Sequence, residues 1–389
     1  MRIYLDHNAG SPMRPAVRDA IADGDIAGHG NPASIHRAGQ RARRALEQAR
    51  EQVAALVDAV PRAIVFTSGG TESNNLAILG AALSVGGGRK RIVATAIEHS
   101  SVMAPLAELE GRGFEVIRIS PDRDGCVDPE VLAAAIRDDV ALVTLGLVNA
   151  EVGAIQEVAA IARATSQAGA LFHLDAAQAV GRIPVRVEDL GCDLMTISAH
   201  KIGGPAGIGA LYVRPGVNLA PTMLGGPQES GMRAGTPNLL GAIGFGVAAE
   251  AVSDALEDER GRIEILADAL LNHLLGTIPG LRLNGRREGR VANTLNLTFP
   301  GVLGESMLIA LDLEGVEVSM GSACAAGAVE PSHVLTAMGR SAAEARSSLR
   351  ISLGWSTSAK EIADAAEIIA RVWRRVANAE PADNAEAAR

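Results

Sequence analysis

Residues 158–201 read VAAIARATSQAGALFHLDAAQAVGRIPVRVEDLGCDLMTISAHK, and their reading decides the fold. An amphipathic stretch, 158–168, leads into a short apolar run, 171–174, that stops at Asp175. A second apolar run, 194–198, stops at His200 and Lys201. Helix spacing followed by a short apolar run, then another such run, is the signature of strands buried on both faces and joined by crossover helices. The same rhythm extends outward. Apolar, often β-branched runs recur at 64–66, 91–95, 116–119, 141–148 and 210–213, and 129–137 is again amphipathic. The expectation is an α/β protein with a mostly parallel sheet covered by helices.

Beyond residue 240 the rhythm changes. Two helical stretches are expected at 241–256 and 258–275, then strands at 281–283 and 294–298, a helix at 305–313 and a strand at 350–353. The last helix opens on Ser358-Ala-Lys-Glu361, a capping box, and carries Ile362, Ala365, Ile369 and Val372 at helical spacing. We therefore expect a large domain over 13–250 and a smaller α+β domain from 1–12 and 251–376. An alanine-rich polar tail, 377–389, is expected to be disordered.

Composition narrows the function classes. The 389-residue chain is 48% hydrophobic and 21% charged, with a net charge of −9. That balance suits a globular protein and argues against nucleic acid or an anionic membrane as the main partner. The N-terminus has no apolar signal region, and no uninterrupted apolar run approaches membrane-spanning length, so a soluble, cytoplasmic protein is expected. Cys126, Cys192 and Cys324, widely spaced, suggest neither a disulfide framework nor a zinc site.

Lysine is scarce. Three lysines stand against 33 arginines, so lysine is retained where arginine cannot substitute. Arginine never becomes a neutral nucleophile, whereas a partly desolvated lysine can form a Schiff base. Lys90 lies in a glycine-rich turn and Lys360 in a helix's first turn, which leaves Lys201 as the candidate covalent anchor.

In parallel sheets, ligands gather at the carboxyl ends of strands. Polar clusters follow the apolar runs at Thr67–Thr71, at Glu98-His99-Ser100, at Asp175–Gln178 and at Ser198–Lys201. The first, Thr67-Ser-Gly-Gly-Thr71, is a glycine turn opening a helix, suited to a phosphate, but it matches neither a Walker A loop nor a dinucleotide fingerprint. A lysine, a strand-end carboxylate and a phosphate turn together suit pyridoxal 5′-phosphate (PLP).

At this point the chain resembles the NifS/IscS-type cysteine desulfurases, class V aminotransferase-like enzymes of PLP fold-type I. The resemblance rests on YLDHNA, FTSGGTESNN, EHSSV, HLDAAQAVGRIP, SAHKIGGPAGIGALYVR, GGPQESGMRAGTPN and SMGSACAAGAVEPSHVL. It implies a large domain with a seven-stranded sheet plus a small α+β domain. Carried onto these positions, it makes Lys201 the Schiff-base lysine, Asp175 the partner of the pyridine nitrogen and His99 a ring-stacking acid/base. Gln178 would reach the phenolic oxygen, and Gly70, Thr71, Ser198 and His200 would hold the phosphate, with Thr236 supplied by the other subunit of a homodimer. Asn149 would belong to the cofactor site, while Arg350 and Asn31 would bind the substrate. Cys324, in a glycine-bracketed run of small residues, would be the nucleophile that takes sulfur from L-cysteine as a persulfide, leaving alanine.

The implied partners are a sulfur acceptor or an iron–sulfur scaffold protein. No resident metal is implied, although Cys324 could ligate a transient iron–sulfur cluster. A selenocysteine or cystine lyase and a class V aminotransferase stay open as alternatives. The chain departs from the family pattern at Ala150, where a second asparagine is common, and at Gly10 and Ser11, where threonines are usual.

Overall fold

In the computed structural model the described residues are 2–27, 30–84, 88–320 and 330–379. Cys324 and residues 380–389 of the expected tail lie outside them, while residues 377–379, expected to be disordered, end the final helix. In chain order the strands are β1 (Ile3–Tyr4), β2 (Ile64–Thr67), β3 (Arg91–Thr95), β4 (Glu115–Ile119), β5 (Val140–Gly146) and β6 (Leu171–Asp175). They continue with β7 (Leu194–Ser198), β8 (Gly209–Val213), β9 (Arg282–Leu283), β10 (Thr294–Thr298), β11 (Val316–Glu317) and β12 (Ser348–Ser352).

Seven of them form one sheet in the order β2-β8-β7-β6-β5-β3-β4. Only β8 runs against its neighbours, pairing antiparallel with both β2 and β7. The alternation expected of a two-faced strand is visible in side-chain packing. Phe66, Val143, Phe172, Met195 and Ile197 enter a core on one face, shared with the helix Arg37–Ala55. Val65, Ile92, Leu142, Leu194 and Leu211 enter another core, against the helices Gly70–Ser84 and Ser100–Gly111. Because both faces are covered, the central strands are almost wholly apolar rather than alternating.

A third core is built on the antiparallel sheet β12-β10-β9, the final helix Ala359–Ala379 and the N-terminal residues Ile3 and Leu5. Strand β1 pairs parallel with β11, which ties the chain start to this region. The expected capping box forms, with Ser358 Oγ accepting from Glu361 N–H at 3.2 Å and Glu361 accepting from Ser358 N–H at 2.8 Å.

One expectation is corrected. The two helical stretches are a single helix, Leu239–Thr277, of 39 residues. Its first half, including Phe245 and Val252, packs in the large-sheet core, and its second half, including Leu270 and Leu274, packs in the third core. The charged run around Glu257 contains no proline, and its glutamates and arginines favour a helix. The boundary expected at residue 250 therefore falls inside a continuous helix. Length and composition alone would let this helix cross a membrane, yet its apolar residues are divided between two cores.

Candidate active site

The parallel strands of the large sheet end at Thr67, Thr95, Gly146, Asp175 and Ser198, and polar groups gather there. Lys201 follows β7 by one short turn. Its Nζ donates to the main-chain carbonyls of Asn8 at 2.6 Å and Ala9 at 2.9 Å. Burial, then the positive charges of Arg182 and Arg350, lower its pKa from the usual lysine range to about 8. Neutral amine is thus accessible near physiological pH, which a nucleophile or proton acceptor requires.

Asp175, at the end of β6, is fixed on both oxygens. Oδ2 accepts from Asn74 Nδ2 at 2.7 Å, and Oδ1 accepts from Ala177 N–H at 3.0 Å. The fully buried Asn74 also donates to Ser101 Oγ at 2.8 Å, and Ser101 Oγ lies 2.8 Å from His99 Nδ1. Asp175 and His99 are therefore linked through two side chains. His99 caps the helix Ser100–Gly111 through Nδ1, which accepts from Ser101 N–H at 3.1 Å. A neutral ring with an accepting Nδ1 carries its proton on Nε2. Burial is the main cause that lowers the His99 pKa, so the neutral form is favoured.

The glycine turn closes against β7 as a phosphate cradle would. Gly69 has φ +153, and an added Cβ on Gly70 would sit 3.6 Å from Ser198 Cβ. Ser198 Oγ lies 2.9 Å from His200 Nδ1. Burial and the neighbouring Lys201 charge lower His200 to about 4, leaving it neutral. Thr71 is exposed at the mouth of the turn.

Arg350, on β12, reaches across from the third core. Its Nη2 donates to Asp6 Oδ1 at 2.8 Å and its Nη1 to the Ala150 carbonyl at 3.2 Å, while the buried Nε has no partner among the described residues. The alanine at 150 thus leaves the main-chain acceptor for Arg350 intact. The Gln178 amide donates to the Asn8 carbonyl at 3.0 Å, and its buried Oε1 has no partner among the described residues.

Three expected residues stand apart. The Asn149 side chain braces its own loop, donating to the Ile97 carbonyl and accepting from Glu151 and Val152 N–H. Asn31 accepts from Ala33 N–H in an exposed turn, and no hydrogen bond among the described residues links it to the Lys201 cluster. Thr236 is exposed on the loop before the long helix. Cys324 lies outside the described residues, but the chain on both sides of it is anchored at the site. Ser319 exchanges main-chain hydrogen bonds with Arg350, at 3.0 and 2.6 Å. On the far side, His333 Nε2 lies 3.0 Å from the Glu98 carbonyl, and Ser332 donates to Glu151.

Sequence reasoning missed the residue that knits this together. Asn8 receives Lys201 and Gln178 on its carbonyl, and its side chain binds Ala150, Thr294, Arg182 and Asn293. A signal was present: Asp6-His7-Asn8 follows the fully buried Leu5, the same polar-after-apolar pattern as the other clusters. Glu98 is a second omission. Buried and near Asp175, its carboxyl is pushed up to about 7, although Thr95 and the Gly146 amide oppose the shift.

Fold and site together define a family. The chain belongs to the aminotransferase class-V family, whose model matches residues 3–364. Among its relatives are cysteine desulfurase IscS of Dictyoglomus turgidum, 41% identical over 97% of this chain and 96% of that one, and a putative cysteine desulfurase IscS 1 of Bacillus subtilis, 40% identical over 96% and 99%. A solved NifS-like protein superposes with a TM-score of 0.91 at 33% identity, covering 96% of this chain and all of the other.

Proposed function

We infer that this chain is a PLP-dependent cysteine desulfurase, converting L-cysteine to L-alanine and passing the sulfur to a cysteine of its own. The observation that carries the reading is Lys201, a desolvated amine with a pKa of about 8, set on one sheet edge with Asp175, His99 and the Gly70 turn. The residues fit the cofactor. Lys201 supplies the anchoring amine, and the Gly70–Thr71 turn with Ser198 and His200 supplies phosphate donors. Asp175 supplies the acceptor for the pyridine N–H. The unpartnered buried Oε1 of Gln178 and Nε of Arg350 are polar atoms that a bound ligand would satisfy.

Bound there, PLP supplies an electron sink for negative charge at the Cα of an amino acid joined to it. The protein's own groups do the rest. Arg350 binds the substrate carboxylate, oriented by Asp6 and the Ala150 carbonyl. Lys201, once free, accepts the Cα proton as a neutral amine. His99, with its proton on Nε2, moves a proton at the substrate thiol. Cys324 thiolate forms the new S–S bond as the substrate's Cβ–S bond breaks, so the sulfur stays on Cys324 as a persulfide and a proton completes the alanine methyl.

A homodimer completes the reading, with Thr236 of one subunit closing the phosphate site of the other. The exposure of Thr236 and of Leu224, 83% accessible, supports a partner surface on that loop. The sulfur then passes to an acceptor or to an iron–sulfur scaffold protein. A cytoplasmic setting, where thiols stay reduced, suits an enzyme whose product is a persulfide. The test is mass analysis of Cys324 after incubation with L-cysteine. A transferred sulfur supports the reading, and alanine release without it removes the desulfurase assignment.

A further inference from the structure

Behind Lys201, away from Asp175, His99 and Ser198, lies a cavity of about 60 Å³ between the large-sheet core and the third core. Its charges do not balance. Arg14, Arg182, Lys201 and Arg260 line it with one carboxylate, Glu259, while Arg260 has Glu257 3.6 Å away outside the lining. Glu259 is already taken by Arg14, with bonds of 2.8 and 2.9 Å. Arg262 adds a further positive charge at the rim, bound to the carbonyls of Gly354, Trp355 and Thr357. Among the described residues the Arg182 guanidinium hydrogen-bonds to neutral oxygens, Asn8 Oδ1 at 3.2 Å and the Ala177 carbonyl at 3.5 Å. Enclosure lowers its pKa to about 10, and Arg350 adds to the shift.

Arg182 is half-buried, and a guanidinium partly withdrawn from water with no carboxylate bonded to it is costly, so proteins ordinarily pair one. The His7 side chain, 2% exposed, also lines the cavity and has an unpartnered Nε2. Its Nδ1 lies 3.2 Å from Ser11 Oγ. When Ser11 donates to Nδ1, the proton sits on Nε2, which becomes a free donor. The cavity therefore offers donors and positive charge, with room for more than one water-sized particle.

We propose that this cavity is a binding site for a small monovalent anion of chloride size, held by Arg182 and His7 behind Lys201. The anion neutralises Arg182, and Asp175, His99 and Ser198 are not among the residues that line its site.

The test uses bromide as the probe. Crystals of the cofactor-loaded enzyme grown in sodium bromide should show an anomalous peak in the cavity within hydrogen-bond reach of Arg182. The peak should vanish in Arg182→Met. In solution, wild-type enzyme should melt at higher temperature in sodium chloride than in sodium gluconate at equal ionic strength, because an ion that binds only the folded state stabilises it. That difference covers the case in which Arg182→Met fails to fold. A bromide map with water alone in the cavity overturns the proposal. So do equal melting temperatures in the two salts, or a bromide peak that persists in Arg182→Met.

Discussion

Arg350 Nη2 donates to Asp6 Oδ1 at 2.8 Å, with the two side chains 6% and 19% exposed. This pair joins the proposed substrate-binding guanidinium to the N-terminal segment, and the same Asp6 charge raises the pKa of Lys201. Asp6→Asn keeps the shape and removes the charge. Hydrogen bonds to charged groups contribute about 1.5–3 kcal/mol. The expected result is a KM for L-cysteine raised by roughly ten- to a hundredfold, with a smaller change in kcat. Steady-state kinetics on the purified variant checks it.

Lys201 gives a pH prediction with a definite sign. Its folded pKa, about 8, lies below the usual 10.5, so the charged form is disfavoured in the folded state. Between those values the unfolded chain binds more protons, and stability rises with pH. Below pH 8 the penalty is present in full. Cofactor-free Lys201→Met should therefore be more stable than cofactor-free wild type at pH 7, and its stability should rise less from pH 8 to 10.5. Urea denaturation across that range measures both. Equal slopes for the two proteins would contradict the assignment.

Asn74 holds Asp175 Oδ2 and Ser101 Oγ at once. Asn74→Ala should weaken cofactor retention and cost about 1–3 kcal/mol of stability, the usual range for a lost buried partner. Equilibrium dialysis against PLP, with melting curves, tests it. Unchanged retention would mean that Asn74 does not position Asp175.

Residue 150 works through its carbonyl, which accepts from Arg350 and from Asn8 Nδ2 at 3.1 Å. Changing the side chain should matter little. Ala150→Asn is expected to alter KM by about twofold or less, within the ±0.5 kcal/mol usual for substitutions that break no such feature. A tenfold gain in affinity would show that the alanine is a handicap that the main-chain contact does not offset.

The sheet was legible because strands covered on both faces are apolar throughout. Runs such as Leu194–Ser198 coincide with the observed strand. The long helix was not, because charged residues around Glu257 can mark either a loop or the solvent side of a continuous helix. At the site, Lys201, Asp175 and His99 stood out because each follows an apolar run. Asp6 and Asn8 follow one too, but the strand before Leu5, Ile3–Tyr4, is too short to register as periodic. The Arg350–Asp6 contact was beyond reach, since the partners lie 344 positions apart in the chain. Asn149 entered through the family resemblance, and its side chain joins its own turn to the Ile97 carbonyl.

The central claim is sulfur transfer to Cys324, between anchors at Ser319 and His333. Its most direct test is peptide mass analysis after the cofactor-loaded enzyme is mixed with L-cysteine under non-reducing conditions. The expected result is one added sulfur on the Cys324 peptide with matching alanine release, and no desulfurase turnover in Cys324→Ala. Undiminished turnover in Cys324→Ala, or alanine formed with Cys324 unmodified, would contradict it.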